Sequence, residues 1–175
     1  TTINSAQMHQ PDNVETTALG AAGLAAALGM AGLLLSQRDT TDFSAGASLK
    51  AGEAAPAFTL ALQGGGNFAL ADRNGKPLLL NFFASWCLPC RDEMPAIEKI
   101  SREYRAKGVA FVGVAVDDTQ AGLREFTARY GVSFPVGLDK AAAIRNSFGL
   151  AGVPTTYFID RKGIVSHFHS GAVTE

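Results

Sequence analysis

Leu78-Leu79-Leu80-Asn81-Phe82-Phe83-Ala84-Ser85-Trp86-Cys87-Leu88-Pro89-Cys90 holds both cysteines of a chain of 175 residues. The apolar run from Leu78 to Phe83 reads as a strand buried on both faces, as in a parallel sheet. From Arg91 to Ala106 the pattern is helical, so the cysteines sit where a strand turns into a helix N-terminus. Free N–H groups and the positive end of the helix dipole favour a thiolate on the first cysteine and draw its pKa toward neutrality. Cys90 lies one turn on, on the same face, close enough to form a disulfide with Cys87. Two buried core cysteines or half of a zinc site are the competing readings. The zinc reading lacks a second cysteine pair, and His167 and His169 are far away in sequence. A purely structural bridge across so short a loop would stabilise little. The strand, the helix and the aromatic-Cys-x-Pro-Cys grouping favour a redox-active dithiol.

Working outward, Lys107-Gly108 ends this helix with glycine as a left-handed cap. Pro95 inside it removes an N–H and is expected to kink it. Val109 to Val116 reads as the next buried strand. Asp117-Asp118-Thr119 then caps a helix to Tyr130, with Leu123, Phe126 and Tyr130 on one face. A short strand follows at Val136 to Leu138, and Asp139 caps a further helix through Phe148. Thr155 to Ile159 and Ile164 to Phe168 read as an antiparallel pair across Asp160-Arg161-Lys162-Gly163. On the other side, Pro56 to Leu60 and Asn67 to Leu70 form a hairpin across Gly64-Gly65-Gly66. Those glycines lack the flanking strand, helix and Lys-Ser/Thr of a phosphate-binding loop. Strands alternating with helices and ending in a hairpin make an α/β domain.

The N-terminal third has a different character. Residues 16–37 carry no charge, long enough to cross a bilayer core as a helix, so 1–17 reads as a tail and 18–37 as a transmembrane or signal-anchor helix. A cleaved secretory signal is its rival, with Ala45-Gly46-Ala47 as a small-x-small site. Arg38 and Lys50 follow the segment and no Lys or Arg precedes it, which runs against the positive-inside pattern for an exported C-terminal domain. Residues 38–55 read as a polar linker and 56–175 as the α/β domain. The net charge of −1 provides no basic field for nucleic acid.

Asn81-Phe82-Phe83-Ala84-Ser85-Trp86-Cys87-Leu88-Pro89-Cys90-Arg91-Asp92-Glu93-Met94-Pro95, with Gly152-Val153-Pro154-Thr155-Thr156, resembles the TlpA/ResA-like thioredoxins. These are membrane-tethered thiol–disulfide oxidoreductases that face the extracytoplasmic space. The resemblance runs from about Ala51 to the end of the chain. It implies a thioredoxin-like fold with an extra N-terminal β-hairpin and an inserted strand–helix, preceded by one transmembrane helix. It also implies a final helix beyond Glu175, so that the 56–175 domain would be truncated.

The same resemblance assigns roles. Cys87 would be the nucleophile and Cys90 the resolving cysteine of a redox-active disulfide. Trp86, Val153 and Pro154 would bind substrate, with Pro154 in the cis form and the Val153 backbone facing the dithiol. Glu93 falls where these proteins carry an acidic residue near the thiols, and Asp118 where they carry a second acid/base candidate. Each also has a plainer reading, Glu93 as a solvated first-turn carboxylate and Asp118 as an N-cap. Thioredoxin has a buried aspartate where this chain has Asn81, and an amide cannot act as a base at neutral pH.

The resemblance implies a thiol–disulfide oxidoreductase without cofactor or metal. It would reduce exported proteins such as apocytochrome c or a copper-site dithiol, and would be reduced again by a membrane electron donor. The expected location is the bacterial inner membrane, single-pass through residues 18–37, with the catalytic domain outside. Secretion to the periplasm after signal cleavage is the alternative. From a different class, a copper chaperone could use Cys87, Cys90 and His167 or His169. The proline between the cysteines favours redox chemistry over chelation. A peroxiredoxin is disfavoured because no Pro-x-x-x-Thr/Ser-x-x-Cys pattern precedes Cys87.

Overall fold

The structure, a computed structural model, describes residues 48–173. Its elements are β1 (Thr59–Ala61), β2 (Asn67–Ala69), β3 (Leu78–Phe83), α1 (Leu88–Arg105), β4 (Ala110–Ala115), α2 (Gln120–Tyr130), β5 (Val136–Leu138), α3 (Ala143–Ser147), β6 (Thr155–Ile159) and β7 (Val165–Ser170). Single 3-10 turns cover Leu70–Arg73 and Lys140–Ala142. Five strands form one sheet in the order β5-β4-β3-β6-β7. β3, β4 and β5 run parallel, while β6 and β7 are antiparallel to their neighbours.

β3 is central because all six of its side chains are buried, and such a strand must be covered on both faces. Leu78, Leu80 and Phe82 pack with Val112, Val114, Phe148 and Tyr157 on one face. Leu79 and Phe83 meet Met94, Ile97, Leu123 and Phe126 on the other. The buried positions of α1 are Cys90, Glu93, Met94, Ile97, Glu98 and Ser101, a helical stripe of steps of three and one. The helix is one element through Pro95. Its cap is Ala106, and the left-handed residue is Gly108, two positions further on.

The expected fold class is corrected in one part. Among the described residues no helix is long and apolar enough to cross a membrane. The longest, α1, carries Arg91, Asp92, Glu98, Lys99, Arg102, Glu103 and Arg105, which fit a half-exposed helix and not a lipid-facing one. The transmembrane helix expected at 18–37 lies outside the described residues. The fold class is therefore a thioredoxin-like α/β domain with extra strands. The membrane as a partner, the membrane electron donor and the single-pass inner-membrane location are withdrawn with that helix.

The β1–β2 hairpin sits at the β5 edge of the sheet. Leu62 bridges to Gly137, and Gln63 N–H donates to the Val136 carbonyl at 2.8 Å. A Cβ on Gly137 would lie 2.2 Å from the Ala61 carbonyl oxygen, so only glycine admits this approach. Residues 48–55, read from the sequence as the end of a linker, run along the domain. Leu49 N–H donates to Phe148 O, Gly52 N–H to Val165 O and Ala55 N–H to Gly163 O.

Where one helix is expected from Asp139 to Phe148, the structure has a 3-10 turn followed by α3. Ala141 and Ala142, the last two residues of that turn, stand at φ 63° and 55°, a conformation that costs about 1–2 kcal/mol for each residue with a Cβ. The Asp139 carboxylate offsets this by accepting from Ile144 N at 3.1 Å and Arg145 N at 2.8 Å, since bonds to a charged group contribute roughly 1.5–3 kcal/mol.

Candidate active site

β3 ends at Phe83, and Ala84, Ser85 and Trp86 bring the chain to Cys87, the N-cap of α1. Cys87 and Cys90 are joined in a disulfide with Cα atoms 5.3 Å apart. The Cys87 sulfur accepts from the Cys90 backbone N–H at 3.2 Å, so it occupies the place of a capping oxygen at the positive end of an 18-residue helix. That placement favours a thiolate at Cys87 when the bridge is reduced. Cys87 is 5 % exposed and Cys90 0 %, which leaves Cys87 as the sulfur a partner can approach.

The turn before the dithiol is held from both sides. Ser85 N–H donates to Asp118 Oδ2 at 2.6 Å and Ser85 Oγ to Asp118 Oδ1 at 2.8 Å. The Arg91 guanidinium donates to the Ser85 carbonyl through Nε and Nη2, at 2.9 and 2.7 Å. Asp118 also accepts from Thr119 N–H at 2.7 Å. The N-cap of α2 is Thr119, whose hydroxyl accepts from Gly122 N–H at 3.0 Å. The Trp86 indole donates to the Asp117 carbonyl at 2.9 Å while the residue remains 56 % exposed.

Facing the cysteines, the Val153–Pro154 peptide is cis. The Val153 carbonyl oxygen lies 3.8 Å from the Cys87 sulfur. Thr155 Oγ1 donates to Gly152 O at 2.8 Å and Gly171 N–H donates to Pro154 O at 2.9 Å, fixing the turn from within and from the end of β7.

Glu93 follows Cys90 by one turn of α1 and is 1 % exposed. Its Oε1 accepts from Asn81 Nδ2 at 2.9 Å, and its Oε2 accepts from Val173 N–H at 2.9 Å. Burial pushes its pKa above the ordinary value of 4.5, against the opposing pull of the Val173 and Asn81 hydrogen bonds and of His169. The carboxyl is thus a buried group that holds its proton to higher pH than a solvated one. Asn81 also donates to Thr156 Oγ1 at 3.0 Å, and its own Oδ1 is buried without a partner.

The sequence assigned no role to Ser85, Arg91, Gly122 or Arg145, and placed Asp117 only in a helix cap, whereas the cap is Thr119. Gly122 offered a signal: glycine is a poor choice in the first turns of a helix. A Cβ there would lie 2.5 Å from Ser85 Oγ and 2.7 Å from Asp118 Oδ1. His167 packs against the Phe158 ring at 5.8 Å, and His169 Nε2 lies 3.3 Å from the Ala172 carbonyl. Among the described residues, no three of His, Cys, Asp and Glu come together in a way that could hold a metal ion.

The family profile described as Redoxin matches residues 50–175. The thioredoxin-like protein YneN of Bacillus subtilis is 38% identical over 130 residues, covering 73% of this chain and 75% of that protein. The thiol-disulfide oxidoreductase ResA of Halalkalibacterium halodurans is 36% identical over 136 residues, 77% of each chain. Among solved structures, a thiol:disulfide interchange protein of the thioredoxin family from Chlorobium tepidum superposes with a TM-score of 0.64. It is 31% identical, over 73% of this chain and 91% of that one. With a disulfide-forming Cys87–Cys90 pair at the helix N-cap of the same fold, this chain belongs to the redoxin family as a ResA-like thiol–disulfide oxidoreductase.

Proposed function

We propose that the protein works outside the cytoplasm as a reductant of disulfides in exported proteins, such as an apocytochrome c haem-binding pair or a copper-site dithiol. The observation that carries the exchange chemistry in this reading is the difference between the two sulfurs. Cys87 caps α1 and is the more exposed, while Cys90 is sealed one turn before a buried carboxyl. A dithiol donor first reduces the Cys87–Cys90 bridge. The Cys87 thiolate then attacks one sulfur of the substrate disulfide, whose S–S bond breaks. The departing substrate sulfur takes up a proton, leaving a mixed disulfide on Cys87. Cys90 loses its proton and attacks the Cys87 sulfur, releasing the second substrate thiolate. Two electrons have passed to the substrate and the protein is again oxidised.

Resolution requires that a buried thiol be deprotonated, and Glu93 is our candidate for the group that takes the proton. Trp86, Val153 and Pro154 form the proposed substrate surface. An extended segment laid along the cis-peptide turn would meet backbone groups, as in strand addition. We assign Asp118 to holding Ser85, whose N–H and hydroxyl it binds through its two oxygens.

Equilibration of the Cys pair against glutathione and dithiothreitol series tests the direction. A reductant is expected to lie more negative than the glutathione poise of about −220 mV, whereas a value near about −120 mV, in the range of strong oxidants, would reverse it.

A further inference from the structure

Arg145 has no place in the exchange chemistry, yet it is linked to the active-site turn by a continuous set of polar contacts. Its guanidinium Nη1 pairs with Asp117 Oδ2. Asp117 stands directly after β4 and its neighbour Val116, at φ 49°, a left-handed conformation that Asp tolerates better than most residues. That conformation accompanies a carbonyl directed at Trp86 Nε1, 2.9 Å away. At the other end, Arg145 is presented by a fixed element. Asp139, 7 % exposed, holds the backbone N–H groups of Ile144 and Arg145, and Phe148 at the end of α3 is fully buried.

We propose that Arg145, on the inserted helix α3, is a positioning residue for disulfide exchange. By pairing with Asp117 it holds the carbonyl that orients the exposed Trp86 indole beside Cys87, and so sets how a protein substrate seats. Trp86 at 56 % exposure and Leu88 at 67 % flank Cys87 and are two of the large apolar side chains that the domain leaves in solvent. An indole this exposed has little packing to fix it, so its single hydrogen bond carries much of its orientation. The Arg145 and Asp117 side chains are themselves 27 % and 52 % exposed. A pair so open to water adds little to folding stability, so its contribution lies in orientation. The inserted strand–helix thereby becomes part of the apparatus that adapts the dithiol to its partners. This inference rests on the reading of Trp86 as substrate surface.

Trp86 is the only tryptophan in the chain, so its fluorescence reports this relationship without interference. Arg145→Gln in the full chain is expected to lower the steady-state anisotropy of Trp86 and to shrink the change in its emission when the neighbouring disulfide is reduced. With insulin as the protein disulfide, KM is expected to rise about fivefold to tenfold, the scale of one charge-assisted contact, with a smaller effect on kcat. Arg145→Lys should restore part of both readouts. Asp117→Asn removes the same pair from the other side, retains the carbonyl and tolerates the left-handed backbone, so it serves should Arg145→Gln fold poorly. The two substitutions together should be no worse than either alone. Wild-type anisotropy and KM in folded Arg145→Gln or Asp117→Asn would overturn the role of Arg145, provided Trp86→Ala does raise KM. An unchanged KM in Trp86→Ala would instead overturn the substrate-surface reading beneath it.

Discussion

Asn81 Nδ2 donates to Glu93 Oε1 at 2.9 Å, joining the middle of the central strand to α1 one turn beyond Cys90. Both residues are buried, Asn81 at 0 % and Glu93 at 1 % exposure. An amide can satisfy a neighbouring carboxyl without competing for its proton, so of these two residues only Glu93 can titrate.

The Glu93 carboxyl gives the fold a defined pH dependence. Its folded pKa is raised above the ordinary 4.5, principally by burial. Between the two values the folded state binds more protons than the unfolded state. Its stabilising contribution is therefore complete below about 4.5 and is lost as pH rises through the raised folded value. Each pH unit between the two is worth about 1.4 kcal/mol. Urea denaturation of wild type and Glu93→Gln across this range should show the difference moving in the variant's favour as pH rises. A difference independent of pH would mean that Glu93 is not a buried titrating group.

Asn81→Asp places a second carboxyl within hydrogen-bond distance of the first. Two such groups cannot both ionise in a buried layer without one pKa rising strongly. The variant should lose about 3 kcal/mol or more at pH 8, the usual cost of an uncompensated buried charge, and recover much of it at pH 5. Adding Glu93→Gln should restore stability at pH 8. An equal loss at both pH values would point to packing and not to charge.

Gly122 sets two effects of opposite sign against each other. Helix propensity alone would make Gly122→Ala stabilising by about 1 kcal/mol. Contact of the new methyl with Ser85 Oγ at 2.5 Å and Asp118 Oδ1 at 2.7 Å forces a shift expected to cost about 1–3 kcal/mol. The account predicts net destabilisation, with exchange slowed by up to about a hundredfold as the turn before Cys87 is displaced. Asp118→Ala should reproduce the slowing without the clash and leave the pH profile of exchange in place. A stabilised Gly122→Ala with unaltered exchange would remove the Ser85–Asp118 latch from the mechanism.

Much of this architecture is legible in the residues because the signals are local. The doubly apolar run at Leu78–Phe83 marks the central strand, and the cysteines at the following helix start mark the site. The hairpin, β5 and the β6–β7 pair follow from turn residues between apolar runs. What the sequence hides are relationships across the fold. Ser85 and Asp118 meet over 33 positions, and nothing local pairs Asp117 with Arg145. The left-handed Ala141 and Ala142 split a segment that reads as one helix, since alanine ordinarily favours the right-handed form. Glu93 is buried against Asn81 from β3 and Val173 beyond β7, both distant in sequence, so α1 alone reads as carrying a solvated first-turn carboxylate. The uncharged stretch at 18–37 satisfies the length rule for a bilayer span, but that rule speaks of composition, and no described helix has that character.

The order of attack by the two sulfurs is the centre of the mechanism, and a trapping measurement reaches it directly. Cys87 caps the helix and is the more exposed sulfur, with Cys90 sealed behind it. Reduced Cys90→Ser and Cys87→Ser variants are each incubated with an oxidised protein disulfide, quenched in acid and resolved without reductant. Cys90→Ser should accumulate a mixed disulfide through Cys87, because nothing remains to resolve it, and Cys87→Ser should accumulate none. Accumulation through Cys90 in the Cys87→Ser variant, with none in Cys90→Ser, would contradict the assignment of attacking and resolving thiols.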